Sequence, residues 1–113
     1  MIKIYHNPRC SKSRQGLAIV EASGKPFEVI KYMDDHLTEA ELQMIIKKLN
    51  ISPIDLVRKG EAIWKAHYKG KTLSDKEIIA AMSKHPKLIE RPVVITAKEA
   101  VIGRPPENIS SIL

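Results

Sequence analysis

The chain has 113 residues, 43% apolar and 28% charged, which is enough for one core and too few for two. No apolar run nears the ~20 residues that a bilayer span needs, and no secretory leader precedes the first strand, so a cytoplasmic protein with no membrane contact is expected. The formal charge of +6 favours anionic partners, but the basic residues are scattered from Lys3 to Arg104 without interleaved aromatics, so no nucleic-acid face is expected.

The first element is a short strand, in which Ile2 and Ile4 alternate with polar residues and lead to Tyr5. His6-Asn7-Pro8-Arg9 follows as a loop, because Pro8 disfavours helix at Asn7. Ser11 to about Ala22 reads as a helix with Gly16, Leu17, Ala18 and Val20 toward a core, and Gly24 and Pro26 end it. Phe27 to Lys31 is a second strand. Thr38 and Glu41 form a capping box ahead of Leu42, Ile45, Ile46 and Leu49, spaced as one apolar helix face. Short helices are expected from Ser52-Pro53 to about Arg58 and from Glu61 to Tyr68. Ser74 and Glu77 form a second capping box, leading into Ile78, Ile79 and Met82. Pro92 to Thr96 is a strand, Val101 to Gly103 a short return strand, and Pro105-Pro106 opens a final helix to Leu113.

This order is a βαβ unit, four helices, then a ββα unit. It predicts an α/β, thioredoxin-like fold over 1–113, with a mixed sheet and a helical insertion at about 36–88. The helix of Ser11 to Ala22 supplies the crossover that a parallel first pair requires.

Cys10 is the one cysteine, so no internal disulfide can form. It stands where a strand has ended and a helix begins. Unpaired N–H groups and the helix dipole at such a point stabilise a thiolate and bind oxyanions. Its neighbours Asn7, Arg9, Ser11, Lys12 and Ser13 are polar or basic, which is poor company for a packing residue and good company for a reactive one. His6 reads either as a charge or hydrogen-bond partner of this loop or as an exposed loop histidine. Ser13 reads either as a donor to the thiolate or as a first-turn serine bonded to backbone. The four histidines, His6, His36, His67 and His85, offer no ligand spacing, so no metal is expected. No bound cofactor is expected either, since no glycine-rich phosphate cradle is present. No apolar stripe is left over after the core is assigned, so a monomer is expected.

The stretch His6-Asn7-Pro8-Arg9-Cys10-Ser11-Lys12-Ser13-Arg14 resembles the active-site loop of the glutaredoxin-dependent arsenate reductase family. Leu56-Val57-Arg58-Lys59, His85 to Val94 and Gly103-Arg104-Pro105-Pro106-Glu107 resemble three further family segments, in the same order. The resemblance implies a thioredoxin-like core in which Pro92 is a cis-proline facing the cysteine loop. It implies that Cys10 attacks arsenate, that Arg58, Arg91 and Arg104 hold the oxyanion, and that His6, Ser13 and Arg14 support the low thiol pKa and the loop shape. Arginine suits such a role because its planar fork stays charged and matches oxyanion geometry. Glutathione and glutaredoxin are implied as external reductants and partners, with arsenate as substrate. Read alone, Arg58 is equally a solvated helix-end charge, Arg91 a residue before a buried strand, and Arg104 a partner for Glu107. Ser11-Lys12 departs from the family's Gly-Thr and adds a charge at the anion loop, and a shorter branch of the family is expected.

Two alternatives share this fold. One is a thiol-stress regulator that binds RNA polymerase; its usual Cys-x-x-Cys is broken here by Ser13. The other is a glutathione-linked thiol-disulfide reductase, for which Cys-x-x-Ser suffices.

Overall fold

The structure is a computed structural model describing residues 1–113, and the chain divides into two compact units. The first comprises Met1–Asp35 and Arg91–Leu113, the second His36–Glu90. No helix is long and apolar enough to cross a membrane.

The first unit is built on a four-stranded mixed sheet in the order β2-β1-β3-β4. Strand β1 (Ile2–Tyr5) pairs in parallel with β2 (Phe27–Ile30), with Ile2 opposite Phe27 and Tyr5 opposite Ile30. On its other side it runs antiparallel to β3 (Val93–Ile95), with Ile4 opposite Val94. β3 continues antiparallel into β4 (Ala100–Ile102) through a turn in which Thr96 Oγ1 accepts from the Glu99 N–H. β1 and β3 are central and carry the buried residues, whereas β2 and β4 are partly exposed.

Helix α1 (Ser11–Ala22) makes the crossover from β1 to β2. It buries Ser13, Gly16 and Val20, and Val20 joins Ile2, Ile4, Val94 and Ile109 in the core. Ala18, expected on this face, is exposed. At 100° per residue it lies well off the line through positions 13, 16 and 20, and its small size disguised that. Gly16 and Gly103 permit a close approach: a Cβ on Gly16 would stand 2.7 Å from Pro92 Cγ and 2.8 Å from Ile109 Cδ1, and one on Gly103 would meet the same two side chains.

The expected final helix is instead a 3₁₀ run, Pro106–Ile112, which packs on α1 and β4 and contributes the fully buried Ile109. Proline at the first turn and β-branched or serine residues beyond it disfavour regular α-helix there.

In the second unit, α2 (Glu39–Leu49) and α4 (Asp75–Lys84) pack together. They bury Leu42, Ile45 and Ile46 from one helix, and Ile78, Ile79, Ala81 and Met82 from the other. Both predicted capping boxes are present, Thr38 with Glu41 and Ser74 with Glu77. α3 (Ala62–His67) is shorter than expected, and its buried Trp64 stacks on Tyr68 at 5.4 Å. The helix expected from Ser52-Pro53 to Arg58 is a 3₁₀ turn, Pro53–Leu56. It stops because Val57 is extended and forms an antiparallel bridge to Ile89, flanked by Arg58 N–H to Leu88 O and Glu90 N–H to Leu56 O.

Candidate active site

The loop from His6 to Arg9 joins the end of β1 to α1, and Cys10 is the N-cap of that helix. The first N–H groups of the helix, which have no intrahelical partners, therefore lie close to the thiol. Cys10 is partly exposed. Burial pushes its thiol up, but the Ser13 backbone N–H, a hydrogen bond from the Arg91 side chain, the Lys12 backbone N–H and the Arg91 charge outweigh burial and hold it below its ordinary value. A thiol so held ionises more readily, and the thiolate is the nucleophilic form.

The sources of this effect differ from the cluster expected around the cysteine. Lys12 acts through its backbone N–H, and the guanidinium beside the thiol is that of Arg91, far off in sequence. Arg14 turns back and donates from Nη1 to the Pro8 carbonyl at 2.9 Å, bracing the loop.

His6 and Ser13 are both buried, and His6 Nδ1 lies 2.6 Å from Ser13 Oγ. Ser13 Oγ also accepts from the Asn7 N–H at 3.0 Å. The Ser13 side chain thus serves the loop, while its backbone serves the thiol. Burial, reinforced by the Lys31 and Arg14 charges, lowers the His6 pKa against opposing contributions from Ser13 and Glu21. His6 is therefore a neutral hydrogen-bonding group at neutral pH, not a cation.

This has a consequence for stability. The folded-state pKa of His6 lies below its unfolded value of ~6.5, so the unfolded chain takes up the proton first as pH falls. The contribution is intact above ~6.5 and is lost progressively below it. The melting temperature should fall between about pH 7 and about pH 5.5, and less steeply in His6→Gln. His85, also lowered by burial and then by Lys84, acts in the same direction, so the variant's profile flattens without becoming flat. Parallel profiles for the two proteins would show that His6 stays solvated.

Arg91 is buried at the entry to β3, and the Arg91–Pro92 peptide is cis, as is Arg104–Pro105. The first is the bond that the family resemblance implies; the second was not anticipated. Arg104 is exposed and donates from Nη1 to the Arg91 carbonyl at 3.2 Å, so the two arginines are tied together in the first unit. Arg58 belongs to the second unit, where its Nε lies 3.7 Å from Glu90 Oε1. The first unit thus brings together Cys10, His6, Ser13, Arg14, Arg91, Pro92 and Arg104. A soft nucleophile beside a buried guanidinium and open helix N–H groups can attack an electrophile that carries anionic oxygens.

Asn7 is the residue that sequence reasoning passed over. It is buried, and its Oδ1 accepts from the Arg9 N–H at 3.1 Å. The signal was available, since asparagine before a proline commonly folds back onto the backbone two residues on.

Comparison with known proteins identifies the relatives of this chain. A sequence profile of the ArsC family matches residues 5–112. A protein of Haemophilus influenzae named arsenate reductase is 42% identical, with 97% of each chain covered. A protein of Escherichia coli K12 named YfgD is 40% identical, covering 99% of this chain and 96% of its own. The solved structure of an arsenate reductase from Vibrio cholerae superposes with a TM-score of 0.94 at 42% identity, covering 99% of this chain and 97% of that one. The thioredoxin-like fold is thereby shown.

Proposed function

Because the chain belongs to the ArsC family, we propose that it is a thiol-dependent oxidoreductase that converts arsenate to arsenite, with Cys10 as the nucleophile. The observation that carries this reading is the pairing of the Cys10 thiol, held below its ordinary pKa, with the Arg91 guanidinium.

In the first step Cys10 Sγ bonds to arsenic and an arsenate oxygen leaves as water. Arsenic is still pentavalent at this point. Arg91 and Arg104 hold the remaining oxygens and offset their charge, as guanidinium forks do for tetrahedral oxyanions. Lys12 adds positive charge at the loop. Glutathione then supplies a second thiol. Overall, arsenate and two thiols give arsenite, a disulfide and water; arsenic gains the two electrons that the two sulfurs lose. With a lone cysteine the second thiol must come from outside the chain, and glutaredoxin is proposed to regenerate Cys10 from a mixed disulfide. The chain is proposed to work as a cytoplasmic monomer.

The test is arsenite release from arsenate with glutathione and glutaredoxin. Turnover by the wild type is expected, with the KM for arsenate raised on the order of tenfold in Arg91→Lys, since an ammonium cannot reproduce the fork. Cleavage of a glutathionylated peptide with no arsenite release would transfer the assignment to thiol-disulfide exchange.

A further inference from the structure

Asn7 ties the cysteine loop together at three points. Its N–H donates to Ser13 Oγ at 3.0 Å, its carbonyl accepts from the Cys10 N–H at 3.0 Å, and its Oδ1 accepts from the Arg9 N–H at 3.1 Å. It is only 6% exposed, although it sits in a loop and carries a polar side chain. By comparison, His6 meets the loop through Ser13, and Arg14 through the Pro8 carbonyl. Asn7 alone engages both residues preceding the helix, Arg9 and Cys10, and the first turn of the helix itself.

We propose that Asn7 is a positioning residue for the thiol, fixing where Cys10 Sγ stands relative to the α1 N-terminus and the Arg91 guanidinium. This rests on the reading of Cys10 as the working nucleophile. The physical reason lies in what can move. The Lys12 and Ser13 N–H groups that face the thiol belong to α1 and are held by the helix. The approach of Cys10 to them is set by the backbone from Asn7 to Cys10. Pro8 contributes no N–H to that stretch, so the bonds to Asn7 hold it. An asparagine side chain that caps the backbone two residues on is a turn in miniature. Without its oxygen the Arg9 N–H loses that partner, the loop gains freedom, and the thiol spends less time in line with the donors. Hydrogen bonds to a charged group weaken steeply with misalignment.

The experiment uses the full chain with Asn7→Ala and Asn7→Ser, each checked for folding by circular dichroism. The readouts are the pH dependence of thiolate absorbance and of alkylation by iodoacetamide, and kcat and KM for arsenate. Serine retains a weaker acceptor for the same turn. The thiol pKa is therefore expected to rise in the order wild type, Ser, Ala, with alkylation near neutrality several-fold slower in Asn7→Ala. kcat should fall, with KM little changed, because the arginines are untouched. If Asn7→Ala does not fold, the serine variant decides alone: a raised thiol pKa supports positioning and an unchanged one overturns it. Unchanged thiol pKa values in both folded variants overturn the proposal outright. If the thiol follows the expected order while the wild type reduces no arsenate, the positioning role stands and the arsenate reading falls.

Discussion

Cys10→Ser is expected to reduce arsenite formation by on the order of a thousandfold or more, the scale on which loss of a covalent nucleophile acts. The substitution is nearly isosteric at a partly exposed helix N-cap, and serine is itself a favoured N-cap, so the fold should survive. What is lost is the anion. The helix N–H groups and Arg91 ease the ionisation of a thiol, but a hydroxyl starts from a far higher pKa and stays protonated. The wild-type rate should therefore decline as pH falls through the lowered thiol pKa, because the unprotonated sulfur is the reacting species. Parallel melting curves for the two proteins, with turnover only in the wild type, is the expected result. Substantial turnover by the folded serine variant would remove the sulfur from the chemistry altogether.

Gly16→Val is expected to destabilise the fold by about 3 kcal/mol or more, combining overpacking with the poor helix propensity of a β-branched residue. The position sits mid-helix, where alanine would ordinarily gain ~1 kcal/mol over glycine. Here any Cβ meets Pro92 Cγ at 2.7 Å and Ile109 Cδ1 at 2.8 Å. The proline ring cannot swing aside, and Ile109 is fully buried, so the helix must lift from the core. Gly16→Ala should therefore lose ~1–2 kcal/mol, the overpacking cost exceeding the propensity gain. At several degrees per kcal/mol for a chain of this size, thermal denaturation resolves both changes. A Gly16→Ala protein that melts higher than the wild type would mean that the core at Pro92 and Ile109 has slack.

The parts of this molecule legible in the sequence are those whose physics is local. The two capping boxes were read from four residues each, because a cap is satisfied within one turn. The crossover helix and the strands it joins followed from periodicity and from the Gly24 and Pro26 punctuation. The failures share a cause. Arg58 was placed at the end of a helix that stops at Leu56, because the bridge from Val57 to Ile89 takes over the backbone. The final helix expected from Pro105-Pro106 to Leu113 is a 3₁₀ run over Pro106–Ile112, packed against α1 and β4. At the site, proximity along the chain suggests the basic neighbours Arg9 and Lys12 as the thiol's charges. The fold supplies Arg91 instead, from the segment that enters β3. Nothing local in the sequence could have revealed that. The family resemblance singled out Arg91 for the substrate and said nothing of its hydrogen bond to the thiol.

The strand order β2-β1-β3-β4 has a last consequence, for self-association. An open sheet has two margins whose outward backbone groups can template the strand of another molecule. Here both margins are short, Phe27–Ile30 on one side and Ala100–Ile102 on the other. Pro26 precedes the first, and the exposed charges of Lys25, Glu28 and Lys31 line it. The second is bracketed by exposed Lys98 and Glu99 before it and by Arg104 and Pro105 after it. The more deeply buried strands, Ile2–Tyr5 and Val93–Ile95, are confined to the interior of the sheet. The native protein therefore shields its apolar central strands behind charged and proline-flanked ones, and exposing them requires dismantling the sheet rather than fraying an edge.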